Sequence, residues 1–187
     1  IYEVYLNGKR IGDDYFNPGI TQYNKTHLYQ TFDVTEYVHS GRNALGALLA
    51  EGLKAAPYLI KPNDDELSRL AGKKLETIEE LTAEGQKLLE SGIERVVISL
   101  GGRGALYLRK GSTIYAEGLK VPVGSTVGAG DSVVAALAYA ESQDMSEEDA
   151  VRLSTATGAA NVMCSGTQAA ERSVIEELLP KVRFSKL

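Results

Sequence analysis

Hydrophobic and polar positions follow two rhythms along the chain, one in the first fifty residues and another after them. Tyr2 to Leu6 alternates with the two-residue period of a strand and runs into Asn7-Gly8, a dipeptide whose residues both tolerate the positive φ of a tight hairpin. A short second strand is expected after Lys9. Asn17-Pro18-Gly19 reads as a turn, Leu28 to Val34 as a strand, and Asn43 to Ala50 as an apolar run following Gly41. This is a short antiparallel β segment, part of a β-sandwich. About four strands are too few to close two packed sheets, so alone it would leave edges and a face uncovered.

From Ala56 the pattern alternates between strand and helix. Tyr58 to Lys61 predicts a short strand and Asp64 to Leu70 a short helix; Thr77 with Glu80 forms a capping box for a helix ending near Gly92. Arg95 to Leu100 is a β-branched apolar run of the kind found inside parallel sheets. Ala105 to Arg109 and Ser112 to Glu117 predict a further strand pair. A helix begins at Gly130 and Asp131, another follows Ser146, and Ser173 with Glu176 predicts the cap of a last one before Pro180. That order defines an α/β layer structure.

Composition sharpens the division. Of ten tyrosines, six (Tyr2, Tyr5, Tyr15, Tyr23, Tyr29 and Tyr37) fall in the first stretch. No apolar run approaches the roughly 18 residues that span a bilayer, and the first residues lack the order of a signal peptide, so no membrane association is expected. Cys164 alone cannot form an internal disulfide. With only His27 and His39 beside it no structural zinc set is available, which fits a reducing cytoplasm. A net charge of -5 argues against nucleic acid as a partner, since that needs a basic face.

Candidate chemistry lies in the second stretch. Ser125-Thr126-Val127-Gly128-Ala129-Gly130-Asp131 places small residues at the turn into an alanine-rich helix. The first amides of a helix lack internal partners and carry partial positive charge, so this turn can hold an anion, and Asp131 could take a proton from a substrate hydroxyl. An ordinary turn with Asp131 as a cap is the plainer alternative. Lys61-Pro62-Asn63-Asp64-Asp65-Glu66 offers Asn63 and Glu66 as hard oxygen ligands, or equally a helix start with solvated acids. Ser99-Leu100-Gly101-Gly102-Arg103-Gly104 follows a strand and could bring amides to phosphates, although it matches neither the Walker nor the dinucleotide pattern.

Taken together, these segments resemble the PfkB family of sugar kinases, relatives of ribokinase. Ser125 to Ala138 fits that family's second signature, Asn63-x-x-Glu66 its Asn-x-x-Glu motif, and Ser99 to Gly104 its ATP-contacting loop. The wording around Tyr58 to Leu67 and Val121 to Gly166 is most similar to the bacterial 1-phosphofructokinases, then to tagatose-6-phosphate kinases. The resemblance implies a partial ribokinase-like layered α/β sheet over residues 51–187. It implies Asp131 as catalytic base, with Gly128, Ala129 and Gly130 as anion hole. Ser99, Gly101, Gly102, Arg103, Gly104 and Gly130 are implied at ATP, and Asn63 and Glu66 near magnesium, through water in part. Asn161, in the small-residue stretch Thr155 to Asn161, is a candidate wall of the adenine pocket; close helix packing would use the same stretch. The implied reaction passes the γ-phosphoryl of MgATP to a phosphosugar hydroxyl, giving fructose 1,6-bisphosphate from fructose 1-phosphate.

The match covers only the second half of such an enzyme, so the groups that grip the sugar are missing, and the chain is inactive, unless a homodimer or a half supplied in trans provides them. Residues 1–50 are instead similar to part of the N-terminal β-sandwich domain of bacterial α-L-rhamnosidases, carried by Tyr2 to Asp13, Pro18-Gly19, Tyr23 to Lys25, Tyr29 to Thr35 and Asn43 to Gly46. Glu51-Gly52 suits both relatives. The expectation is therefore an unnatural join of two fragments, since a natural fusion couples whole domains through a linker. A carbohydrate-binding β-module and an inactive fragment are the competing functional readings. Ser185-Lys186-Leu187 spells a peroxisomal address and is read as a chance tripeptide.

Overall fold

The computed structural model describes residues 4–6, 9–11, 33–37, 45–47, 56–166 and 168–187. The chain divides into two compact units, Ile1–Ala55 and Ala56–Leu187. In the first, β1 (Val4–Leu6) pairs antiparallel with β2 (Lys9–Ile11) and with β3 (Leu45–Ala47), in the order β2-β1-β3. Leu6 lies opposite Lys9, the register expected of a hairpin centred on Asn7-Gly8. Of the strand predicted over Leu28 to Val34 only Asp33 and Val34 are described, and neither is in a strand. The carbohydrate-binding reading of this stretch falls outside the described side chains.

The second unit is a five-stranded sheet in the order β4-β5-β6-β7-β8, covered on both faces. Its elements are β4 (Leu59–Ile60), α1 (Asp64–Ala71), α2 (Ile78–Glu90), β5 (Arg95–Ser99), β6 (Gly104–Arg109), β7 (Ser112–Glu117), α3 (Ala129–Ser142), α4 (Glu147–Val162), α5 (Arg172–Leu178) and β8 (Phe184–Lys186). Strands β4 and β5 are parallel, and every later pairing is antiparallel. The apolar run of β5 thus has one parallel neighbour and one antiparallel one. Burial on both faces, rather than parallel pairing, explains its composition.

Alternation along β5 and β6 divides the core. Val97, Tyr107 and Ile114 face Leu137, Ala140, Ala150 and Val151 of α3 and α4. Ile98 and Leu108 point the other way, where a Cβ on Gly85 of α2 would come within 2.8 Å of Leu108 Cδ2. Leu67, Leu81, Ile98, Leu106 and Ile114 are wholly buried. Truncating any of them to alanine removes about 2–5 kcal/mol of stability. Tyr107 carries its phenol into the core, where Ser154 Oγ donates to its oxygen at 3.0 Å and Thr155 Oγ1 lies at the same distance. Burial pushes that phenol above its usual range, and the two hydrogen bonds oppose the shift.

Two sequence expectations need correction. Ser173 does not cap the last helix: the N-cap is Glu171, with no side-chain bond, and Ser173 lies in the first turn. Glu176 is drawn instead to Arg172, four residues earlier, at 2.7 Å. Phe184 to Lys186, unassigned from the sequence, forms β8, so Ser185 and Lys186 of the Ser185-Lys186-Leu187 tripeptide lie in the sheet against β7, and Leu187 N donates to Thr113 O at 3.0 Å. Among the described residues no helix is long and apolar enough to cross a membrane.

Candidate functional site

The parallel strands β4 and β5 end side by side, and the segments leaving them begin the site. Ser99 N donates to Pro62 O at 3.0 Å and Ser99 Oγ to the same oxygen at 3.4 Å, continuing the parallel pairing to Asn63. In open α/β sheets ligands gather outside the carboxyl ends of such strands. Helix α1 starts here with a reciprocal cap: Glu66 N donates to Asn63 Oδ1 at 2.7 Å, and Asn63 N donates to Glu66 Oε2 at 2.8 Å. Both side chains named as metal candidates are thus occupied in closing their own helix, leaving one exposed Glu66 oxygen. Asp64 is paired with Arg103 at 2.8 Å, which ties the glycine loop to the start of α1.

That loop is a single 3-10 turn, Gly101–Arg103, held at its base by Leu100 N donating to Gly104 O at 2.8 Å. Its glycines differ in purpose. Gly104 has φ +110, and a Cβ there would land inside the carbonyl oxygen of Ala116, so only glycine lets β6 lie against β7. Gly102 has open space around it, and this is the part of the loop a ligand can approach. Tyr115 Oη donates to Arg103 O at 2.7 Å, fixing the far end of the turn.

The turn into α3 is built differently. Its N-cap, Gly128, is left-handed at φ +86 and has no side chain to offer. The first helical bond runs from Ser132 N to Gly128 O at 2.9 Å, and no acceptor meets the amides of Gly130 and Asp131 among the described residues. Gly124 N and Ser125 N both donate to Val162 O, at 2.8 and 3.1 Å, tying the turn to the end of α4. Asp131 is exposed in the first turn, and its carboxylate makes no hydrogen bond or ion pair among the described residues. Lys61, from the end of β4, reaches this turn: a Cβ on Gly130 would lie 3.0 Å from both its Cε and its Nζ. The motif reading passed over Lys61, because contact with Gly130 joins two segments far apart in the chain.

Asn161 is only 3% exposed and faces the same turn. Its Nδ2 donates to Gln168 O at 2.9 Å, while its Oδ1 has no partner and lies 3.6 Å from where a Gly128 Cβ would be. The small residues around it pack α4 closely on α3, since a Cβ on Gly158 would come within 2.7 Å of Val133 Cγ2. Asn63, Ser99 and Arg103 therefore gather at one strand end, Lys61 bridges from that end to Gly130 and Asp131, and Asn161 backs the turn from beneath. Among the described residues no group of three His, Cys, Asp or Glu side chains is arranged to hold a metal ion.

An uncapped helix start, a neighbouring carboxylate and a glycine turn thus lie together at the strand ends, with open amides suited to an anion. Residues 31–173 match the pfkB family of carbohydrate kinases, and the chain belongs to that family. It is 39% identical over 141 residues to 1-phosphofructokinase of Vibrio cholerae, covering 75% of this chain and 44% of that protein. In structure it is similar to phosphofructokinase-2 of Escherichia coli in complex with substrates and products, with a TM-score of 0.65 and 34% identity over 70% of this chain and 44% of that one. Ribokinase of Arabidopsis thaliana complexed with ribose and ATP superposes with a TM-score of 0.60 at 30% identity, over 65% of this chain and 40% of the other. The fold is thus ribokinase-like, and the chain spans less than half the length of these relatives.

Proposed function

We propose that Ala56–Leu187 is the nucleotide-binding and phosphoryl-transfer half of a phosphosugar kinase acting on fructose 1-phosphate, the reading that similarity to 1-phosphofructokinases favours. The observation that carries it is the start of α3, where a glycine cap lies within one turn of amides and an Asp131 carboxylate that have no partner among the described residues. Asp131 accepts the proton of the acceptor hydroxyl as that oxygen forms its bond to the γ-phosphorus; the bond between that phosphorus and the bridging oxygen breaks, and ADP leaves with the electron pair. The amides of Gly130 and Asp131 stabilise the charge on the transferring group. Ser99 and the Gly101–Arg103 turn border the rest of the nucleotide.

Magnesium fits here only loosely. Asn63 and Glu66 supply oxygen donors of the right hardness, but each is bonded to the other's amide, so contact would run through water to the remaining Glu66 oxygen. The ion when bound offsets phosphate charge. The acceptor sugar is positioned by elements outside Ala56–Leu187, in another chain or the second copy of a homodimer, and the join of two fragments near Glu51-Gly52 remains part of this reading.

The test is a thermal melt of the full chain with and without MgATP. Nucleotide at a hundred times its dissociation constant adds about 2.7 kcal/mol to a folded state that binds it. An upward shift is expected, and a cooperative transition indifferent to nucleotide overturns the proposal.

A further inference from the structure

We propose that the open edge of β4 and the exposed stripe of α3 form one docking surface for a separate polypeptide that continues the sheet. Strand β4 pairs only with β5 among the described residues. Arg95 N donates to Tyr58 O at 2.9 Å and Ser99 N to Pro62 O at 3.0 Å, so the alternate residues Leu59 and Lys61 turn their peptide groups to the open side. The opposite edge is blunted, since β8 presents exposed Ser185 and Lys186, the latter paired with Glu148. At β4 the edge residues Leu59 and Ile60 are apolar, and the Lys61 ammonium is turned to Gly130.

Helix α3 runs along this same edge: Tyr58 Oη donates to Glu141 Oε1 at 2.6 Å at one end, and Lys61 lies against Gly130 at the other. Its outward residues Val134, Ala135, Ala138 and Tyr139 recur at helical spacing and are exposed, whereas α2 shows solvent Glu79, Glu80, Lys87 and Glu90. A helix that is apolar on its outer face as well as its inner one is suited to burial on both. The sheet and its helix layer thus stop along one line, as in a layered domain divided within its sheet. The occupant is argued from length, because the chain spans less than half of its relatives. It adds a strand to β4 and an apolar helix to α3. The stripe starts one turn from Asp131, which puts the occupant on the acceptor side of the site; that consequence rests on the functional reading above, and the docking itself does not.

The experiment co-expresses the full chain with the part of Vibrio cholerae 1-phosphofructokinase that it does not match, and follows the product by sedimentation over a dilution series. A one-to-one complex is expected. Val134→Glu and Ala138→Glu put a charge on the stripe and weaken the complex by about thirtyfold or more. Leu187→Glu, beyond the opposite edge, stays within about twofold. Both stripe positions are exposed, so the melt of the chain alone is unchanged; should either variant fail to fold, Tyr139→Ser removes apolar area without adding charge and carries the same comparison. Absence of a soluble complex, or a complex indifferent to the stripe, overturns the proposal. So does a dimer of the chain alone that the stripe variants dissociate, which makes a second copy the occupant. ATP binding by a chain that forms no complex leaves the site reading intact, and a complex that binds no nucleotide overturns that reading while the docking stands.

Discussion

Helices α1 and α2 on one face of the sheet and α3 on the other begin in opposite ways. Asn63 with Glu66 and Thr77 with Glu80 close their own helix starts by reciprocal side-chain bonds, so the first amides of α1 and α2 are supplied from within. Helix α3 begins at a left-handed glycine with no side-chain cap. Glycine at a helix N-cap is only roughly a few tenths of a kcal/mol worse than a side-chain cap, so the open start of α3 costs little stability. The difference is that the α3 turn keeps its first amides open, as the proposed function requires, while the α1 turn, although it carries a family motif, is satisfied by its own residues.

The largest break in this contrast comes from Asp131→Asn. Under the proposed function, losing the base is expected to lower kcat by about a hundred- to ten-thousandfold. Calorimetric ATP affinity should not fall, since the change removes negative charge from an anion site. Next come two glycines with different duties. Gly104→Ala forces a methyl into the Ala116 carbonyl and is expected to cost about 3 kcal/mol or more in denaturant unfolding. Gly128→Ala meets ordinary contact, with Asn161 Oδ1 at 3.6 Å, and an unfavourable φ, so its cost is about 1 kcal/mol.

Thr77→Ala sharpens the comparison from the capped side, lowering stability by about 1 kcal/mol while the nucleotide-induced melting shift is unchanged. The smallest effect is a pH dependence. Because burial raises the Tyr107 phenol, the folded state holds its proton where the unfolded chain releases it. That contribution is fully present below about pH 10 and is lost as pH rises from there towards the folded value. Tyr107→Phe should flatten this alkaline limb of the unfolding free energy, and a limb of unchanged slope would count against it.

Much of this architecture was legible in the residues themselves. The capping pairs announce α1 and α2 because both partners lie within one turn of chain, and the β5 to β7 strands stand out by burial and alternation. Local chemistry misled at Ser173, where an (i, i+3) pair resembled a cap but Glu176 had a better partner in Arg172. β8 escaped notice because three residues carry too little period, and its identity comes from pairing with β7. For the site, the Asp131 turn is contiguous and readable. The Lys61 contact with Gly130 and the burial of Asn161 beneath Gly128 arise only when distant segments pack, and no spacing rule reveals them.

The bare amides of α3 also set a timescale. Among the described residues Gly130 and Asp131 have no acceptor to release before their protons meet water, whereas Ser132 must first release Gly128. In deuterated solvent the first two should therefore label ahead of the body of α3, which opens only with the packed pair it forms with α4. Slowing of those two protons upon addition of a phosphate compound would report occupancy of the turn without any need for turnover.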